Sequence, residues 1–177
     1  MNPRVFNPFP VISTERLTLR ALSMKDAESI FKLRSDAEIN KYLDRQPSAS
    51  IEDAYNFISK ISEGVHANTF IYWVITLTES ETFLGTICLF SFSDNNDQCE
   101  IGFELSTSYQ GQGIMKEAAN AVIDYVFKVL EIQKIEAITH KNNLSSIKLL
   151  EALHFKSDSS SIEDNPDCIS YTLMSLM

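Results

Sequence analysis

Residues 110 to 115, "QGQGIM", set two glycines one residue apart directly before an apolar helical pattern. The chemistry this favours is anion binding. A helix start leaves about four backbone N–H groups without internal partners, and the aligned peptide dipoles place roughly half a positive charge there. Gly111 and Gly113 carry no side chain to hold a phosphate oxygen away from those N–H groups, and they tolerate φ values that other residues resist. Charge-assisted hydrogen bonds contribute on the order of 1.5 to 3 kcal/mol each, so two or three would hold a pyrophosphate. Two other phosphate motifs fail on their residues. The GxGxxG fingerprint needs glycine where Lys116 stands, and GxxxxGK[ST] occurs nowhere in the chain. On these residues alone, a glycine turn that merely links a strand to a helix reads equally well.

The flanking elements must position that turn. After it, Ala118, Ala119, Val122, Ile123, Val126, Phe127 and Leu130 keep one helix face apolar, while Lys116, Glu117, Asn120, Asp124 and Lys128 lie off it, which predicts a helix to about Leu130. Before it, three stretches rich in β-branched and aromatic residues read as strands: 71 to 78, 82 to 90 and 99 to 105. "SDNNDQ" between the last two has hairpin-turn composition. Downstream, 134 to 140 reads as a strand, "NNLSSIKLLEAL" as a short helix, and 154 to 158 and 168 to 176 as two more strands. Strand, helix, strand, helix predicts a crossover unit with parallel pairing. Upstream, "ERLTLRAL" alternates as a half-buried strand, Ser23 precedes one or two helices ending near Leu43, and Ser50 caps a helix expected to stop at Gly64.

Composition narrows the class. The 177 residues, 44% of them hydrophobic, predict one domain over 1 to 177 with its own core. No apolar run approaches the roughly 18 residues of a membrane span, so the expectation is a soluble, cytoplasmic protein with no membrane partner. Net charge is −9, from 24 acidic and 15 basic residues, and no stretch concentrates Lys or Arg with aromatics, which argues against nucleic acid. Cys88, Cys99 and Cys168 form no CxxC pair, so neither a disulfide framework nor a metal site is expected.

The segments "ELSTSYQGQGIMKEAANAVIDYVF" and "IEAITHKNNLSSIKLLEALHF" resemble the GNAT superfamily of N-acetyltransferases, and within it the Rim-type group that acetylates N-terminal amines of ribosomal proteins. The likeness runs from "ISTERLTLR" to the C-terminal strands. It implies an α+β fold: a mostly antiparallel, splayed mixed sheet of about seven strands flanked by helices, binding acetyl-CoA as cosubstrate and using no metal. The superfamily's acetyl-CoA signature falls on Gln110, Gly111, Gln112, Gly113, Ile114 and Met115, with Met115 departing from its usual small last residue. By the resemblance, backbone groups of residues 111 to 115 hold the CoA pyrophosphate, and backbone groups near Phe103, Glu104 and Leu105 pair with the pantetheine arm. Asn143 and Ser146 match the family's N-x-x-S positions near the sulfur. His154 stands where the family usually has glycine, in a turn expected to want a positive φ.

Acetyl transfer needs a neutral amine, and free amines are largely protonated near pH 7. Glu100, on the strand beside the cofactor site and similar to a glutamate used in related enzymes, is the first candidate base, acting through water; Glu104 is the runner-up. Each also reads as an ordinary strand residue. Ser146 is the candidate to protonate the departing thiolate, or else only a helix first-turn residue. A strand N–H could stabilise the oxyanion, and Tyr109 reads as packing. A covalent route through Cys99 is disfavoured because no histidine adjoins it. His66 and His140 read mainly as surface residues. The expected reaction is direct attack by a primary amine, from a ribosomal-protein N-terminus or a small molecule. The acidic loop with Glu163, Asp164 and Asp167 could meet a cationic acceptor. The alternative is a non-catalytic CoA-binding or sensing module on the same fold. Oligomeric state stays open, a homodimer included.

Overall fold

The computed structural model describes residues 5–158 and 165–175. Its elements are β1 (Ile12–Ser13), β2 (Leu17–Ala21), α1 (Ala27–Ser35), α2 (Ala37–Asn40), α3 (Ile51–His66), β3 (Ile71–Leu77), β4 (Phe83–Phe90), β5 (Gln98–Leu105), α4 (Ile114–Lys128), β6 (Lys134–His140), α5 (Leu144–Ala152), β7 (Lys156–Asp158) and β8 (Cys168–Met174). The strands form one sheet in the order β1-β2-β3-β4-β5-β6-β8-β7. Seven of them fall where periodicity places them. The eighth, β1, has two residues, too few to show a period.

Strand alternation puts apolar side chains on both faces of the sheet, and each face is covered by helix. Trp73, Ile75, Ile87, Leu89 and Ile101 pack against Ala118, Ala119, Val122 and Val126 of α4. On the opposite face Tyr72 and Val74 pack against Ala27 and Ile30 of α1 and Ala54 and Ile58 of α3. Burying each large apolar side chain contributes about 1.5 to 3 kcal/mol relative to exposing it. Among the described residues no helix is long and apolar enough to cross a membrane.

One helix end differs from expectation. α3 runs through Gly64 to His66. Glycine stands there for space, since a Cβ would lie 2.2 Å from the Phe70 ring. The segment after Ser23 breaks at Asp36, whose extended backbone ends α1 and whose carboxylate caps α2 by accepting from the N–H groups of Glu38 and Ile39. His154 adopts φ 67°, the left-handed turn expected at that position.

The feature that builds the site is the parallel pair. β5 and β6, joined by α4, share three registered pairs, the last being Glu100 opposite Glu136. Beyond it β5 continues along β4 to Leu105, while β6 continues along β8 to His140. The two strands part, and the sheet splits open at their C-terminal ends.

Candidate active site

The glycine turn lies beside that split. Gly111 and Gly113 both adopt φ +73°, and Gly113 is the N-cap of α4. A Cβ at Gly111 would meet no protein atom within 4 Å, so the conformation, and not crowding, requires glycine there. The first intrahelical bond runs from the Glu117 N–H to the Gly113 carbonyl, which leaves the N–H groups of Ile114, Met115 and Lys116 to the open end of the helix. The turn is held from two sides. Gln110 Nε2 donates to the Leu105 carbonyl at 3.1 Å, and Arg16 Nη1 donates to the Gln112 carbonyl at 3.3 Å.

A cleft of about 930 Å³ fills the split. Its walls come from β5 (Glu100 to Leu105), the turn with the start of α4 (Gly111, Gly113, Ile114, Met115), the end of β6 with the start of α5 (Asn143, Ser146), and the segment after α1 (Glu38 to Leu43). Antiparallel pairing turns alternate residues of β5 toward β4, and Ser106 N–H donates to Leu84 on that side. Glu104 shares that edge by strand period. Phe103 and Leu105 therefore present their backbone groups to the open side, where Gln110 meets the Leu105 carbonyl. An extended amide-bearing chain fits such an edge.

The two carboxylates on this strand differ. Burial pushes the Glu100 carboxyl up, the Glu136 carboxylate across the ladder adds to the effect, and a Ser91 hydroxyl donating to it works against both; the outcome is about 7. A group so placed accepts a proton from an amine near neutral pH. Glu104 instead pairs with Arg45, whose Nε is fixed by the Asn40 side chain at 2.7 Å. Ser146 sits in the first turn of α5 and donates its N–H to the Asn143 side chain at 3.2 Å, so Asn143 also caps that helix. Both line the cleft. Cys99, on β5, is fully buried and is not among the residues lining the cleft.

A profile of the GNAT acetyltransferase domain matches residues 16–156. The chain belongs to the GNAT family of acetyltransferases. N-acetyltransferase p20 of Bacillus licheniformis is 37% identical over 150 residues, 82% of each chain. The crystal structure of spermidine N-acetyltransferase from Vibrio cholerae in complex with CoA and spermine superposes with a TM-score of 0.78 at 22% identity, covering 91% of this chain and 96% of that one. RimL, a ribosomal L7/L12 α-N-protein acetyltransferase in complex with coenzyme A, superposes at 0.82 with 20% identity over 93% and 98% of the two chains. As a GNAT member the chain is an acyltransferase.

In this GNAT chain the structure gathers Glu100, Phe103, Glu104, Leu105, Gln110, Gly111, Gly113, Ile114, Met115, Asn143 and Ser146 around one cleft. Gln112 is not on its wall: its side chain folds back to the Ser108 carbonyl at 3.1 Å. Tyr109 packs against the core, as read from sequence. His66 lies away from the site at the end of α3, bonded to the Ser62 carbonyl. His140 is brought to the cleft wall, stacked on Tyr42 with ring centroids 5.2 Å apart and its Nδ1 accepting from the Asn142 N–H at 3.1 Å. It is thus more than the surface residue expected. Asp167 pairs with Lys141 at 2.6 Å, while Glu163 and Asp164 lie outside the described residues. Sequence reasoning also missed Arg16 and the segment from Glu38 to Asp44, which reach the site across long separations with no local pattern to announce them.

Proposed function

We propose that this chain transfers the acetyl group of acetyl-CoA to a primary amine by direct attack in a ternary complex. Main-chain N–H groups of residues 111 to 115 hold the CoA pyrophosphate, the open edge of Phe103 and Leu105 pairs with the pantetheine arm, and Asn143 and Ser146 lie along it. Glu100, through water, takes the proton of the incoming ammonium, and Ser146 returns one to the thiolate. A β5 N–H on the open edge stabilises the tetrahedral oxyanion. The carrying observation is the half-buried Glu100 carboxyl, opposite Glu136, in the same cleft as a helix start preceded by two glycines. A CoA sensor would need the second feature only.

The acceptor is an amine of a protein N-terminus, of the ribosomal-protein type, or of a small molecule. Both kinds occur among the neighbours, in RimL and in the spermidine enzyme. Release of CoA thiol from acetyl-CoA, measured with small polyamines and with N-terminal peptides, tests the proposal. Turnover on one class identifies the acceptor; tight CoA binding with no turnover on any amine replaces the enzyme by a sensor.

A further inference from the structure

Glu117 presents an unusual problem for a phosphate site. It is the acidic residue in the first turn of α4, where the helix dipole favours a negative charge but where an incoming diphosphate would compete for the same field. The structure answers with residues about a hundred positions away. Glu117 Oε1 accepts from the Thr14 hydroxyl at 2.5 Å and the Arg16 backbone N–H at 3.0 Å, and Oε2 accepts from Arg16 Nε at 2.7 Å. Burial pushes the Glu117 carboxyl up, but these donors more than offset it and hold it below the ordinary carboxylate range. Thr78 N–H in turn donates to the Arg16 carbonyl at 2.9 Å, so the clamp is anchored to the sheet.

The same guanidinium reaches the glycine turn. Arg16 Nη1 binds the Gln112 carbonyl, and Nη2 lies 3.7 Å from where a Gly113 Cβ would stand. In a trans peptide the C=O and the following N–H point opposite ways. Drawing the Gln112 carbonyl toward Arg16 therefore aims the Gly113 N–H away from Arg16, and Gly113 is on the cleft wall where Arg16 is not.

We propose that Arg16 and Glu117 are a positioning pair for the cofactor: Arg16 fixes the Gln112–Gly113 peptide in its phosphate-binding orientation and cancels the charge Glu117 brings to the helix start. The inference rests on the turn being the CoA site. Calorimetric titration with CoA, alongside thermal melting, tests it in the full chain. Arg16→Met leaves Glu117 its Thr14 and backbone donors but no countercharge, and leaves the peptide unheld, so CoA Kd rises about tenfold or more as the uncompensated carboxylate meets the diphosphate. The KM for acetyl-CoA rises in parallel with the Kd. Arg16→Lys keeps charge without the fork and lies between. Adding Glu117→Gln to Arg16→Met restores part of the lost affinity, since the repulsion goes.

A merely structural clamp would lower the melting temperature and leave Kd alone. CoA affinity within about twofold of wild type in both Arg16→Met and Arg16→Lys overturns the pairing role. If Arg16→Met does not fold, Arg16→Lys decides by the same criterion. Wild-type protein that takes up no CoA, or a Gly113→Val variant that binds it as well as wild type, would instead overturn the site itself.

Discussion

The two ends of the cleft are built differently. At the glycine turn the proposed binding groups are main-chain N–H groups of five consecutive residues, 111 to 115, and the side chains of Gln110 and Arg16 hold that backbone in place. At the proposed acceptor end the groups are side chains, Glu100 and Glu104 on β5 and His140 on β6, under the segment from Glu38 to Asp44. A diphosphate is the same in every acetyl-CoA, so a fixed backbone geometry serves it. An amine acceptor differs from one enzyme to the next, and side chains on divergent strands are what can vary without disturbing the cofactor end. The contrast predicts that lesions at one end leave the other's binding intact.

The largest effect is expected at Glu100. Glu100→Gln removes the base and lowers kcat by on the order of 10²- to 10³-fold, while CoA affinity by calorimetry stays unchanged. Wild-type kcat/KM should rise with pH through about 7, where burial and Glu136 set the Glu100 carboxyl, and that limb should be absent from the variant. Next is Gly113→Val. A β-branched residue at φ +73° is strained and places methyl groups at the helix start, so two phosphate bonds are lost and CoA Kd rises roughly a hundredfold. Acceptor affinity at saturating cofactor is unmoved. If either variant damaged both ends alike, the division would fail.

Asp26→Asn tests what supports the acceptor end. Asp26 is 4% exposed, ahead of α1, and takes two bonds from the Arg20 guanidinium at 2.9 and 2.7 Å and one from the Ser23 N–H. Breaking such a pair costs about 3 kcal/mol, read in a urea or thermal melt. Burial pushes the Asp26 carboxyl up, but Arg20 and Ser23 outweigh it and set it below its ordinary value. Its contribution is therefore complete above the unfolded-state value and is lost as pH falls through the lower folded one. Wild type should lose stability on acidification below about pH 4, and the variant should lose less.

The same division explains what the sequence disclosed. The turn was legible because its glycines, its helix pattern and its strand are contiguous, and both φ values came out positive as the spacing demands. Seven strands were legible from period and composition. Gly64 misled because a glycine in a helix can answer to a neighbour's bulk, here Phe70, as well as to a helix end. Arg16 looked like the polar side of a strand, and Glu117 like the polar side of a helix. Their partnership spans 101 positions and has no periodicity. His140 likewise gains its place only when β6 parts from β5 and Tyr42 folds over it.

Glu136→Gln sharpens the account of the reacting carboxylate. Glu136 stands opposite Glu100 and is itself held by Lys134 and by Gln98 Nε2 at 2.8 Å. Removing its charge takes away one of the two causes that raise Glu100, so the acidic limb of kcat/KM moves to lower pH while kcat at high pH is little changed. Burial, the larger cause, remains, and the limb stays above the ordinary carboxylate position. A limb that does not move would mean that the base is another group.

The smallest effect is expected at Glu104, and it separates two carboxylates that alternate onto one strand face. Glu104 is tied to Arg45, while Glu100 faces a hydroxyl donor and a like charge. The guanidinium beside the Glu104 carboxylate repels an incoming ammonium. What Glu104 does hold is the segment after α2, through Arg45 and the Asn40 side chain. Glu104→Gln should raise the acceptor KM by about threefold, leave CoA Kd alone and keep the acidic limb where wild type has it. Loss of that limb in Glu104→Gln, with Glu100→Gln retaining it, would exchange the two roles and move the chemistry two strand repeats along β5, to the carboxylate beside Arg45.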